Sequence, residues 1–324
     1  MSVRRPLLLP LVPLYAAGLR LKRRLFSGEV RRLAHPVISV GSLSAGGAGK
    51  TPVVQALVEL LVRHGYAVDV LSRGYGRGSG EVERVDPAGE AQRYGDEPLL
   101  IARRTGAPVY VGTDRYAAGL LAEREAISGK VVHLLDDGFQ HRRLARSLDI
   151  VLLTQEDVED CLLPAGNLRE PLHRLQEAGA VVLREEEETA LRPVVSMLAG
   201  ETPVWVVRRR LELPVAGIPQ RPVAFCGIAR PEGFFAMLRA EGVIPTRTMA
   251  FGDHHAYGER DIDRLLEEAR EAEADGFVTT EKDAVKISEA MRGWLERIGP
   301  VIVTRLGVAF LDEDAIVSRI AEAG

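Results

Sequence analysis

The chain has 324 residues, 46% of them hydrophobic and 27% charged, with a formal net charge of −4. That length allows one large core or two ordinary ones, the apolar fraction argues against global disorder, and the charge gives no general drive toward nucleic acid. Its two cysteines, Cys161 and Cys226, stand far apart in no metal-ligand spacing, which fits a reducing compartment and argues against structural zinc or disulfides.

The first 33 residues depart from this average, with eight basic side chains (Arg4, Arg5, Arg20, Lys22, Arg23, Arg24, Arg31, Arg32) against one acid, Glu29. Between the basic clusters lies an uncharged apolar run from Pro6 to Leu19, whose 14 residues fall short of the roughly 20 that a spanning helix needs. Pro6, Pro10 and Pro13 break its early part. A helix is therefore expected from about Pro13, with Leu14, Leu21 and Leu25 along one side and basic residues beside them. Residues 1–30 thus read as a basic amphipathic segment for the surface of an anionic leaflet. A cationic surface helix that never meets lipid, or a signal peptide cut after Ala16-Ala17-Gly18, are the competing readings.

Next comes Ser39-Val-Gly-Ser-Leu-Ser-Ala-Gly-Gly-Ala-Gly-Lys50-Thr51-Pro52, a glycine-rich turn after the strand-like Pro36–Val40. Val53, Val54, Leu57, Leu60 and Leu61 follow at helical spacing. Backbone N–H groups of Gly46, Gly47, Ala48 and Gly49 can cradle phosphate oxygens at the helix start. Lys50 can reach β/γ-phosphates and the Thr51 hydroxyl can ligate Mg²⁺. Ser44 stands where the usual phosphate-loop pattern has its first glycine. A nucleotide site this early argues against the signal peptide, which would strand it where ATP is scarce.

Strand-like runs at Ala67–Leu71, Pro108–Val111, Val131–Leu135, Ile150–Leu153 and Ala180–Leu183 alternate with helical ones. The alternation predicts an α/β fold with a P-loop NTPase-like, doubly wound, mostly parallel sheet over residues 31–202. Ser72-Arg73-Gly74-Tyr75-Gly76-Arg77 follows the second strand. Gly95-Asp96-Glu97-Pro98 opens a helix with two acids, which taken alone read as caps. The fourth strand runs into Asp136-Asp137-Gly138-Phe139-Gln140-His141, bringing a carboxylate to the sheet edge beside the phosphate loop, where it can hold Mg²⁺ directly or through water. Adjacent acids on a continuing strand point to opposite faces, so one of Asp136 and Asp137 suffices. In Leu163-Pro-Ala-Gly-Asn-Leu-Arg169-Glu170, Arg169 suits a phosphoryl oxygen, although a surface salt bridge fits the spacing equally well.

Glu185–Glu188 reads as a solvated helix start. Residues 203–222, with Pro203–Val207 and the proline-spaced Leu213–Pro222, read as a connector to a second, smaller α/β domain over 223–324. Its expected strands are Val223–Gly227, Gly276–Thr279 and Val301–Thr304, and its helices Glu232–Glu241 and Glu259–Ala274. The last helix, Asp312–Ala323, could pack on either domain. Asp253-His254-His255 could ligate a metal but lacks a convincing third ligand nearby. Only five lysines accompany 37 arginines, yet Lys50, Lys282 and Lys286 all fall in polar motifs, which hints that an ammonium is wanted there.

Taken together and in order, Gly46–Pro52, Ser72–Gly76, Gly95–Pro98, Asp136–His141, Leu163–Glu170, Asp253-His254 and Thr280-Glu-Lys-Asp-Ala-Val-Lys286 resemble the tetraacyldisaccharide 4'-kinase family of lipid A synthesis. The resemblance implies a peripheral enzyme on the cytoplasmic face of the bacterial inner membrane. It would move the γ-phosphate of ATP, with Mg²⁺, onto the 4'-hydroxyl of a lipid-linked glucosamine disaccharide 1-phosphate. Neither nucleic acid nor an obligate protein partner is expected. Under that resemblance Lys50 neutralises the transferred phosphoryl group, and Thr51 holds Mg²⁺ with Asp136 or Asp137, assisted by Glu97. Asp96 accepts the hydroxyl proton, His254 orients Asp96 once the cleft closes, and Arg169 stabilises transition-state charge. A partition- or septum-positioning-type ATPase shares Gly-Gly-x-Gly-Lys-Thr, but Ala45 replaces its signature lysine and Asp312–Ala323 has little basic charge. A soluble small-molecule kinase with a cationic start is the third reading.

Overall fold

The computed structural model describes residues 4–25, 29–126 and 129–324, so residues 1–3 and 26–28 of the basic segment lie outside it. The expected apolar runs become strands, and the charged pair Glu83-Arg84 adds a short one, giving β1 (Val37–Ser42), β2 (Tyr66–Ser72), β3 (Glu83–Arg84), β4 (Val109–Val111), β5 (Lys130–Asp136), β6 (Leu148–Leu152) and β7 (Ala180–Arg184). They are followed by β8 (Val204–Glu212), β9 (Pro222–Cys226), β10 (Arg247–Ala250), β11 (Gly276–Thr280) and β12 (Val301–Phe310). These strands join one sheet in the order β10-β9-β11-β12-β8-β7-β6-β1-β5-β2-β4-β3. β1 is buried along its whole length, as an unbroken apolar run in a parallel sheet should be, and lies parallel to both β5 and β6. Neighbours on either side of β1 open the crevice at its carboxyl end where ligands of such sheets bind.

The helix Lys50–Arg63 anchors that crevice. Val54, Leu57, Leu60 and Leu61 are at most 1% exposed and share a core with Ile38, Val70 and Leu134 of the sheet. The C-terminal helix Glu313–Ala323 completes the same core with Ile316 and Ile320, so it packs on the larger unit, tied by an Arg63–Glu313 ion pair at 2.7 Å. The smaller unit has its own core around Phe225, Phe277 and Leu265, between sheet and the helix Glu259–Glu271.

Within the segment expected to be a connector, Val204–Glu212 forms β8, parallel to β7 and antiparallel to β12. β12 itself runs to Phe310 rather than stopping at Thr304, pairing Arg305 with Glu212 and Phe310 with Val207. One ladder thus carries the sheet from one unit into the other. Three consecutive arginines, Arg208 to Arg210, hide β8 from a local reading. Their strand alternates all the same, with Trp205, Val207 and Leu211 buried, while Arg208 and Arg209 pair with Glu185 and Glu186.

At the N-terminus a 3-10 turn, Pro6–Leu11, precedes the helix Val12–Arg24, and neither contains a buried residue. Leu14, Leu21 and Leu25 are 71%, 57% and 68% exposed. The segment is held by polar contacts instead: Arg5 N–H donates to Ala165 O at 2.9 Å, Tyr15 O–H to Arg169 O at 3.2 Å, and Arg23 pairs with Glu170. Among the described residues no helix is long and apolar enough to cross a membrane.

Candidate active site

Gly46, Gly47 and Gly49 take φ of 73°, 69° and 91°, left-handed backbone that glycine adopts readily, in the loop that follows β1. Ser44 is not at positive φ, so the position needs no glycine; its backbone bridges to Leu168, and Ala45 N–H donates to Asn167 O at 2.9 Å. The loop is thereby stitched to the segment that carries Arg169. Lys50 Nζ lies 3.3 Å from Ser42 Oγ and 3.5 Å from Asp137 Oδ1.

β5 ends on Asp136, and a φ of 49° at Asp137, the next residue, turns the chain so that the two acids diverge. Asp137 receives a two-pronged contact from Arg169, Nη1 to Oδ2 at 2.8 Å and Nη2 to Oδ1 at 2.7 Å. Burial alone would raise the Asp137 carboxyl, but Arg169 and Lys50 outweigh it and hold the group well below the usual carboxylate range. Of the two readings for Arg169, a fork on Asp137 inside the site is the one realised.

Asp136 differs. It is 2% exposed, accepts one hydrogen bond from Ser72 Oγ at 3.1 Å, and its Oδ1 has no partner. Burial, then the charges of Glu97 and Asp137, push its pKa up to about 7. A buried, under-partnered carboxylate close to two other acids is the hard-oxygen environment that a divalent cation relieves. Among the described residues no three His, Cys, Asp or Glu side chains converge as a cage. The donor set therefore fits an ion completed by phosphate and water oxygens rather than one enclosed by protein.

Across the mouth stands the helix Asp96–Thr105. Gly95 precedes it at φ 90°, and a Cβ there would meet Tyr75 O at 3.0 Å, so the second and third motifs pack directly on each other. Asp96 Oδ1 accepts Glu97 N–H at 3.0 Å, and Oδ2 lies 3.0 Å from His254 Nδ1 of the smaller unit. The hydrogen bond to Asp96 raises the His254 pKa. Burial would raise Asp96, but His254 and Lys282 bring it below the ordinary value. His255 turns away, with Nε2 3.0 Å from Asp261 Oδ2 and its ring stacked on Phe251. The two histidines serve different carboxylates, which removes the metal site considered for them.

The sequence marks Asp253 only beside the paired histidines, and Arg184 and Arg115 not at all. Asp253 lies over the phosphate loop, where a Cβ on Gly46 would meet its Oδ2 at 3.3 Å; Arg184 Nη2 reaches Gly47 O at 3.4 Å. Buried Arg115, just beyond β4, places its charge near Asp136 and Asp137. Its position in a polar run after a strand was the available signal. Glu97, expected to assist a metal, accepts Lys282 Nζ at 3.0 Å.

A phosphate loop at the switch point of a parallel sheet, a buried carboxylate on the next strand and a carboxylate–imidazole pair facing them define a P-loop phosphotransferase. The family model of LpxK, tetraacyldisaccharide-1-P 4'-kinase, matches residues 4–323, and the chain belongs to this family. It is 42% identical over 322 residues to a tetraacyldisaccharide 4'-kinase of Koribacter versatilis, covering 96% of this chain and 97% of that one. The counterpart in Geobacter metallireducens is 39% identical over 327 residues, with 92% of each covered. LpxK of Aquifex aeolicus, solved in complex with ATP, superposes with a TM-score of 0.75 at 31% identity, covering 98% of this chain and 99% of that chain. The chain is accordingly a kinase with an alcohol acceptor, and the partition-type ATPase reading is not favoured.

Proposed function

We propose that this enzyme transfers the γ-phosphoryl group of ATP to the 4'-hydroxyl of a tetraacyl glucosamine disaccharide 1-phosphate at the cytoplasmic face of the inner membrane. The observation that carries the reading is the 3.0 Å contact between Asp96 and His254, which joins the two units across the mouth of the site. In this account Asp96 accepts the proton of the 4'-hydroxyl as its oxygen bonds to phosphorus, and the bond from phosphorus to the bridging oxygen breaks to leave ADP. His254 orients Asp96. Backbone N–H groups of Gly46, Gly47, Ala48 and Gly49 cradle the phosphates, and Lys50 neutralises the oxygens of the transferred group. Arg169, forked on Asp137, shares that carboxylate with Lys50, which weakens its hold on the ammonium, and adds positive charge beside the transferring group. Mg²⁺, held by Thr51 and Asp136, would supply charge neutralisation between the phosphates.

The N-terminal segment suits a substrate whose acyl chains stay in a leaflet. Its leucines face outward while Arg5, Tyr15 and Arg23 fasten it to the segment carrying Arg169, so an apolar surface lies beside the acceptor's entry. The test is transfer from γ-labelled ATP by the purified chain, comparing the acylated disaccharide 1-phosphate with free sugars. Equal transfer to free sugars would refute the lipid reading in favour of a soluble small-molecule kinase.

A further inference from the structure

Lys282 is one of only five lysines in the chain, and it occupies the seam between the two units. It lies on the short helix Glu281–Ala284, directly after β11. Its Nζ donates to Glu97 Oε1 at 3.0 Å, stands 3.5 Å from His254 Nε2 and 3.9 Å from Asp253 Oδ1. A second pair of reversed polarity, Arg104 Nη1 to Glu281 Oε1 at 3.0 Å, joins the same two helices. Two crossed ion pairs therefore clasp the helix Asp96–Thr105 to the helix Glu281–Ala284, fixing their register as well as their proximity.

The contact with His254 has a chemical consequence. An ammonium carries only donors, so it is compatible with a lone pair on Nε2 and repels an N–H there. Nε2 meets the Lys282 ammonium at 3.5 Å and the Asp253 carboxylate only at 3.9 Å, whereas Nδ1 meets Asp96 Oδ2 at 3.0 Å, so the proton of the neutral ring sits on Nδ1. In the opposite tautomer the Nδ1 lone pair would face a carboxylate while Nε2–H faced an ammonium, and both contacts would be repulsive.

We propose that Lys282 is a positioning residue for phosphoryl transfer: through Glu97 it seats the smaller unit's catalytic loop, and by facing Nε2 it holds His254 in the tautomer that donates Nδ1–H to Asp96. This assignment rests on the reading of Asp96 and His254 as the proton-accepting pair. It also explains why a point-charge donor stands there in a chain that otherwise uses arginine, since a planar guanidinium cannot meet Glu97 and the ring edge with the same single atom.

The direct test is a long-range ¹H–¹⁵N correlation spectrum of protein labelled at histidine nitrogen, with the His254 signals assigned by their loss in His254→Gln. Wild type is expected to show the Nδ1–H tautomer, and Lys282→Met a shift toward Nε2–H. An Nε2–H tautomer in the wild type overturns the proposal even if Lys282→Met fails to fold, and an unchanged tautomer in a folded Lys282→Met overturns it whatever its rate. In steady-state assays Lys282→Met should lower kcat about 30- to 100-fold while KM for ATP moves less than about threefold, with Lys282→Arg recovering part of the loss. A kcat unchanged by Lys282→Met also overturns it. Wild-type turnover in Asp96→Asn would instead refute the proton-acceptor reading, and leaves the tautomer measurement to judge Lys282 separately.

Discussion

Replacing Asp96 by Asn removes a proton acceptor at nearly constant shape, so it isolates chemistry from packing. The carboxylate is 7% exposed and makes two defined contacts, Glu97 N–H on Oδ1 and His254 Nδ1 on Oδ2, each at 3.0 Å. An asparagine oxygen can keep the first, but its NH₂ group then faces His254, reversing the pair. A positioned general base contributes about 10²- to 10⁴-fold, or roughly 3–5 kcal/mol of barrier. With both oxygens held by hydrogen bonds and water largely excluded, kcat of Asp96→Asn should fall about 10³-fold, near 4 kcal/mol. KM for ATP should stay within about threefold, because Asp96 touches no part of the phosphate loop. His254→Ala leaves the base in place and should cost about 10- to 100-fold.

Because the two act as a unit, Asp96→Asn/His254→Ala should be no slower than Asp96→Asn alone, where independent action would multiply the losses to about 10⁴- to 10⁵-fold. The assay is ADP release at saturating ATP with the acylated disaccharide. Multiplicative losses, or an Asp96→Asn enzyme within about threefold of wild type, would refute the pairing. The pH dependence adds a sign. A base works deprotonated, and His254 and Lys282 hold Asp96 below its ordinary value, so kcat/KM should show no acid limb from this group above about pH 4. In His254→Ala the burial that raises Asp96 loses its main counterweight, and the limb should move to higher pH.

Arg169→Ala frees Asp137 to draw Lys50 away from the phosphates; kcat should fall about 10²- to 10³-fold with a smaller change in ATP affinity, and Arg169→Lys should restore little, since it cannot form the fork. Steady-state kinetics with both variants decide this. His141 is pushed down to about 4 by burial and by Arg115 and Arg146. Its folded pKa lies below the unfolded value near 6.5, so the unfolded chain binds the extra proton and stability falls as pH drops through the window from about 6.5 to 4, by up to about 3 kcal/mol. Urea midpoints at pH 7 and pH 4.5 should therefore differ less in His141→Gln than in wild type. Leu14→Asp/Leu21→Asp should reduce co-sedimentation with anionic vesicles at least tenfold while leaving the urea midpoint unchanged, because both side chains are exposed; retained sedimentation would refute the docking surface.

The phosphate loop was legible because its backbone writes itself into residue types. Positive φ at Gly46, Gly47 and Gly49 demands glycine, and a buried strand before an amphipathic helix leaves a change of period. Asp136 was equally visible at the end of an apolar run. The different surroundings of Asp136 and Asp137 were not, because they turn on a left-handed φ at Asp137 that aims its carboxylate at Arg169, and non-glycine residues do not announce such angles. The Asp96–His254 contact spans 158 residues and came from the resemblance of whole motifs, since nothing local to either residue encodes it. Lys282 was marked as an ammonium wanted in a polar motif, but its role was not legible, because its partners Glu97 and His254 lie 185 and 28 residues away. β8 escaped because the partners of its arginines lie 23 residues away.

That overlooked strand changes how the catalytic pair must be assembled. Had residues 203–222 been a free linker, His254 could swing onto Asp96 from any distance, and closure would cost mainly the entropy of ordering two independent bodies. Instead the β12–β8 ladder runs from Arg305–Glu212 to Phe310–Val207, with β7 and β11 paired on its outer sides. Large separation would break a row of backbone hydrogen bonds inside a continuous sheet, so relative motion has to be absorbed as bending and twist. Small bending preserves register. Under that constraint the Lys282–Glu97 and Arg104–Glu281 pairs need correct only the last ångströms of approach, which is the range over which ion pairs and a histidine tautomer can decide whether Asp96 is aimed at the acceptor or left to its cap.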